Sequence, residues 1–133
     1  MKVAVVQLTS TGNITENQEL ALAKIREAAG NGARLIVLPE ATAQNFRSGR
    51  LDEQAQTLEG PFATAIQALA EELEVTVVAG MFCPADTVER DGKTINRVTN
   101  TALIAGPGVL GGYDKIHTYD AFDYRESDTV LAG

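Results

Sequence analysis

Two charged side chains in this sequence stand where chemistry is possible. Glu40 closes the stretch Arg34-Leu35-Ile36-Val37-Leu38-Pro39-Glu40, directly behind an apolar run and a proline. In open α/β sheets, ligands bind just beyond the carboxyl ends of the strands. An acid there, beside apolar surface, is partly desolvated and gains the basicity a general base needs. Lys115 follows 75 residues later, within Tyr113-Asp114-Lys115-Ile116-His117. If that run is a strand, Tyr113, Lys115 and His117 share one face. An ammonium near the end of such a strand, beside an ionised glutamate, stabilises a developing oxyanion. Each residue also has an ordinary reading, Glu40 as a solvated loop acid and Lys115 as an edge-strand lysine that discourages aggregation. Taken singly, position favours those ordinary readings.

Other chemistries find little support. His117 is the only histidine, which excludes a histidine-based metal cluster and argues against a Ser-His-Asp triad; it reads as a partly exposed structural residue. No serine sits in a nucleophile elbow. Cys83 is the only cysteine, so no internal disulfide forms, in keeping with a reducing compartment. It has no basic neighbour in sequence and reads as a semi-buried spectator thiol. The glycines between Gly106 and Gly112 do not open a helix and read as turn residues, and no glycine fingerprint for a nucleotide follows the first strand. A formal charge of −7 argues against nucleic acid and anionic membrane as partners. No segment approaches the roughly 20 apolar residues of a membrane span, and the amino terminus lacks the long apolar core of a signal peptide. The expectation is a cytoplasmic protein.

The elements that must position these residues are legible from periodicity. Residues 2–8 and 34–39 are short, β-branched and apolar, as in strands buried on both faces. Between them, Asn13 and Glu16 resemble a capping box, followed by Ile14, Ala21, Ile25 and Ala28 at helical spacing and stopped by Gly30 and Gly32. Residues 41–58 read as a long loop. Pro61 opens a second helix with a stripe of Phe62, Ile66, Leu69 and Leu73. A third strand is predicted over 75–82, a polar turn over 85–93 with a hairpin signal at Asp91-Gly92, two further strands over 94–106 and 109–117, and an irregular polar tail over 118–133. The order β-α-β-α-β followed by a meander is that of an α/β protein with right-handed crossovers. At 133 residues a single domain is the natural expectation.

Taken together the chain resembles the nitrilase superfamily, the carbon–nitrogen hydrolases. The resemblance is carried by the amino-terminal Val3-Ala4-Val5-Val6-Gln7-Leu8, Asn17 early in the first helix, the run from Gly32 to Glu40, the run from Thr99 to His117 containing Lys115, and the run from Tyr124 to Gly133 around Glu126. It implies the N-terminal half of an α-β-β-α sandwich and a Glu-Lys-Cys catalytic set. On that resemblance Glu40 matches the general base, Lys115 the group that stabilises the tetrahedral intermediate, and Glu126 a second glutamate that holds the lysine and positions substrate. It further implies no cofactor, no metal and a small amide, carbamoyl compound or nitrile as substrate. The family's nucleophilic cysteine lies on an elbow beyond the matched lysine, and Cys83 does not occupy that place. The chain alone is therefore expected to be inactive, to be a single truncated domain over 1–133, and to pair with a missing C-terminal half or with another copy as a homo-oligomer.

A sheet built for such a sandwich leaves one apolar face open, which marks an interface. Two rival readings follow from the residues: a non-catalytic interaction or assembly module that uses this face, and a different enzyme acting through Cys83.

Overall fold

The computed structural model describes residues 1–133 in full. A five-stranded sheet runs in the order β1-β2-β3-β4-β5, with β1 Val3–Val5, β2 Leu35–Val37, β3 Thr76–Arg90, β4 Lys93–Gly106 and β5 Val109–Asp114. The first three strands are parallel and the last two are antiparallel to their neighbours. Helices α1 (Ile14–Gly30) and α2 (Pro61–Leu73) form the two crossovers. Successive right-handed crossovers that step across a sheet in one direction place their helices on the same side. Both helices therefore cover one face, and the other is left without a layer.

Each helix starts and stops for a local reason. The Asn13 side chain accepts from Glu16 N–H at 3.0 Å, but the Glu16 carboxylate turns to Thr11 Oγ1 instead of back to Asn13, so only half of the predicted capping box forms. Asn31 caps the carboxyl end, and Gly32 follows at φ 92°. Pro61 is the first residue of α2, and its stripe of Phe62, Ile66 and Leu69 is buried. These side chains meet Ile36, Val77, Ala79, Leu103 and Ala105 from the covered face of the sheet, together with Ala21 and Ile25 of α1.

The other face carries the alternate residues. Val3 and Val5 of β1 stand 48% and 86% exposed, and Val109 and Tyr113 of β5 are 42% and 58% exposed. Leu35, Val37, Val78, Ala102 and Ile104 lie between them in register and are half-buried.

Three sequence expectations need correction. Residues 85–90 are strand, not turn: β3 and β4 continue as a two-stranded ribbon to the Asp91-Gly92 hairpin, across a register shift between Pro84 and Thr87. The ribbon is exposed on most of its positions, so no apolar alternation marks it. The last long strand ends at Asp114, not 117. The tail is ordered: a hairpin of β6 (Asp120–Ala121) and β7 (Tyr124–Arg125) leads into a single 3-10 turn, Glu126–Asp128. Val130 then bridges in parallel to Val98 and is buried with Ala41 and Phe82.

Candidate active site

The chain leaves β2 at Val37 and crosses over β3. Leu38 N–H donates to Val78 O, Gly80 N–H to Pro39 O, and Ala43 N–H to Gly80 O. The crossing needs glycine at position 80, since a Cβ there would lie 2.5 Å from Ala41 N and 2.8 Å from Glu40 Cα. Ala41 takes a left-handed conformation at φ 58°, a costly choice for a residue with a side chain, and Thr42 Oγ1 closes the turn on Pro39 O at 2.6 Å. The loop beyond is pinned by Asn17 of α1, which is buried and donates to both Ala43 O and Thr11 O. This turn presents Glu40 on the uncovered side of the sheet.

Lys115 reaches the same place from β5. Its N–H donates to Asn100 O at 2.8 Å and its carbonyl accepts from Gly133 N–H at 3.0 Å. Glu126 arrives from the tail, where its N–H donates to Tyr119 O at 3.0 Å and its carboxylate takes Tyr119 N–H at 2.6 Å. The three side chains that the resemblance selects thus converge. Lys115 Nζ lies 3.2 Å from Glu40 Oε1 and 3.0 Å from Glu126 Oε2. The two acids differ in setting: the Glu126 side chain is 2% exposed and the Glu40 side chain 55%.

Partial burial pulls the Lys115 ammonium down, but hydrogen bonds and charge from Glu126 and Glu40 outweigh it, and its pKa is raised above 10.5. The lysine is therefore a fixed cation near neutral pH and cannot itself serve as the base. Burial pushes the Tyr124 hydroxyl up, and the Glu126 charge adds to this, so Tyr124 stays protonated at the same cavity. That cavity has a volume of about 540 Å³ and is lined by the two glutamates and Lys115 with Phe46, Tyr119 and Phe122 among its walls. Its size suits a small-molecule site.

One participant escaped the sequence reading. Asn100 in β4 is 4% exposed, and its Nδ2 donates to Glu40 Oε1 at 2.7 Å and to Glu126 Oε1 at 3.4 Å. The signal was present: Val98, Asn100, Ala102 and Ile104 alternate onto one face, and Asn100 is the polar member of an otherwise apolar row.

Cys83 and His117 are not part of this cluster. Cys83 pairs with Thr99 one position away from Phe82 and Asn100, so it faces the helices, packed against the main core. Burial pushes its thiol up, with Asp114 adding to the effect against hydrogen bonds from Thr101 and Thr99. A half-buried thiol of raised pKa on the opposite face from Glu40 is poorly placed to be its nucleophile. His117 is exposed and lines an open groove beside Asn100, Tyr113 and Ile116.

The sequence model of the family described as carbon-nitrogen hydrolase matches residues 2–133. The chain belongs to the carbon-nitrogen hydrolase family. Among similar proteins is a hydrolase of Mycobacterium tuberculosis, 41% identical, for which the match takes in 100% of this chain and 46% of the relative. A deaminated glutathione amidase of Synechocystis is 36% identical over 98% of this chain and 48% of its own length. Among solved structures, a CN-hydrolase superfamily protein of Xanthomonas campestris, with an arsenic adduct in its active site, superposes at a TM-score of 0.77 with 25% identity. That match covers 98% of this chain and 45% of the other. This carbon-nitrogen hydrolase chain spans about half the length of the curated relatives it matches, and its fold is the N-terminal half of the nitrilase-type α-β-β-α sandwich. No helix is long and apolar enough to cross a membrane.

Proposed function

We propose that residues 1–133 supply the acid–base and charge-stabilising part of an active site that hydrolyses a non-peptide carbon–nitrogen bond in a small amide, carbamoyl compound or nitrile. The observation that carries this reading is the convergence of Glu40, Lys115 and Glu126 about one ammonium at the edge of the open sheet face, within 3.2 Å. In the reaction Glu40 takes the proton of a cysteine thiol as the sulfur attacks the substrate carbon. With an amide, the tetrahedral intermediate's oxyanion is stabilised by Lys115. Glu40 then returns the proton to the departing nitrogen, leaving a thioester. A water molecule, deprotonated by Glu40, cleaves the thioester to release the acid and the thiol. Glu126 is buried and saturated by Lys115, Asn100 and Tyr119 N–H, so its part is to hold the lysine.

The thiol comes from outside residues 1–133 in this reading, because Cys83 lies on the helix-covered face. The same reading assigns the open sheet face to a second sheet, from a C-terminal half of the same protein or from another copy. The direct test is hydrolysis of simple aliphatic amides by the purified 133-residue chain. The expected result is no turnover above the Cys83→Ser variant. Turnover that Cys83→Ser abolishes would overturn the assignment of the nucleophile.

A further inference from the structure

We propose that Asn100 is a positioning residue that fixes which oxygen of Glu40 acts as the base; the proposal rests on the reading of Glu40 given above. Carboxylates only accept hydrogen bonds, so the amide nitrogen of Asn100, not its oxygen, must face Glu40 and Glu126. Its two hydrogens serve the two acids, at 2.7 Å and 3.4 Å. Lys115 Nζ donates to Glu40 at 3.2 Å, again on Oε1. Both of Glu40's side-chain hydrogen bonds therefore fall on Oε1, and Oε2 is the oxygen with lone pairs open to a thiol or a water.

Asn100 is well built to do this. Its strand, β4, is paired on both sides, by β3 and by β5, and its backbone carbonyl also takes Lys115 N–H at 2.8 Å. One residue thus holds the Glu40 carboxylate, the Glu126 carboxylate and the backbone of the lysine between them. The Glu40 side chain is 55% exposed and has several rotatable bonds. Without Asn100 its tether among these contacts would be Lys115, which Glu126 shares. A residue serving only the fold at this position would be apolar, like Val98 and Ala102 beside it on the same face, because a buried amide costs stability unless its hydrogen bonds are met.

The experiment is done on the full-length protein in two parts. First, the Asn100 side-chain amide resonances and the Glu40 carboxyl carbon are followed by NMR from about pH 8 to about pH 3. Lys115, Glu126 and Arg47 also line the cavity around Glu40, so the titration is repeated in Glu40→Gln to isolate the Glu40 step. The Asn100 resonances are expected to move with the Glu40 carbon and to lose that movement in Glu40→Gln. Second, Asn100→Ala is expected to lower kcat on the order of 100-fold with KM little changed, as for misplacement of a reacting group. Asn100 resonances that stay flat while Glu40 titrates, or Asn100→Ala at wild-type kcat, would overturn the proposal. The first measurement needs no Asn100 variant and stands even if Asn100→Ala misfolds. Glu40→Gln at wild-type kcat, with the Asn100 resonances still tracking Glu40 in the wild type, would remove the base itself and so marks failure of the underlying reading.

Discussion

Lys115 is held by two carboxylates of opposite character, one sealed in protein and one facing solvent, and this asymmetry sets what its loss would do. Removing the ammonium leaves the Glu126 charge, 2% exposed, with only Tyr119 N–H and a long contact from Asn100. Breaking a buried pair by deleting one partner typically costs about 3–5 kcal/mol. Lys115→Met is therefore expected to destabilise the protein by about 3 kcal/mol in urea denaturation near neutral pH. Removing the more exposed partner instead, by Glu40→Gln, is expected to cost less than about 1 kcal/mol. The sign of the pH dependence follows from the upward shift of Lys115. Its contribution is fully present below the unfolded-state value near 10.5 and is lost as the pH rises through the higher folded-state value. The stability gap between wild type and Lys115→Met should stay constant from neutral pH to about pH 10 and close above it. A gap that already closes near neutrality would mean that the lysine is not held charged by these acids.

Gly80 shows how an element far from the chemistry places a reacting group. The turn from Pro39 to Ala43 lies directly on β3 at this residue, and the atoms a Cβ would meet there are backbone, at 2.5 to 2.8 Å, which cannot rotate away. Gly80→Ala should therefore cost about 1–3 kcal/mol, the usual range for overpacking, and should displace Glu40. The check is thermal denaturation together with loss of the Asn100–Glu40 contact by NMR; a Gly80→Ala variant of unchanged stability and contact would contradict the crossing. Neither this glycine nor Asn100 is among the residues that the sequence reading selects, although the helices, the Asp91-Gly92 hairpin and the second strand ahead of Glu40, which ends at Val37 and not at Pro39, are legible from local pattern. The reason is physical. Helix stripes and turn residues act over a few positions, whereas Gly80 is required by a segment some forty residues earlier and Asn100 by acids on either side of it in the chain. The 85–90 side of the β3–β4 ribbon and the β6–β7 hairpin escaped for a different reason: the first is solvated on most positions and the second has two residues per strand, so neither has a buried face to impose alternation. Glu126, by contrast, was singled out only through the family resemblance, since nothing in Arg125-Glu126-Ser127 announces a buried acid.

At the scale of the whole molecule, the sheet has one covered face and one open face, and the open face is both apolar and continuous with the site. Val3, Val5, Val109 and Tyr113 are exposed along its two outer strands, with Val37, Val78 and Ile104 half-buried between them. Soluble monomers rarely leave contiguous apolar patches of more than a few hundred Å². A patch of roughly 400 Å² forgoes about 10 kcal/mol of burial at ~25 cal/mol per Å², which is comparable to the net stability of a domain. The helix-covered face has no such deficit, since Phe62, Ile66 and Ile25 close it. Association should therefore proceed through the open face and not through the helices. The 133-residue chain is expected to bind a hydrophobic dye and to elute from size exclusion as associated species. Substituting Val5→Lys and Val109→Lys should shift it toward monomer at little cost in stability, because these two side chains are already 86% and 42% exposed. A lysine placed instead on the solvent side of α1, at Glu19, should leave association unchanged, since that exposed position lies on the opposite side of the helix from the buried Asn17, Ala21 and Ile25. A wild-type chain that runs as a dye-free monomer would show that the open face is stable in water and needs no second layer, and would remove the physical reason for assigning one.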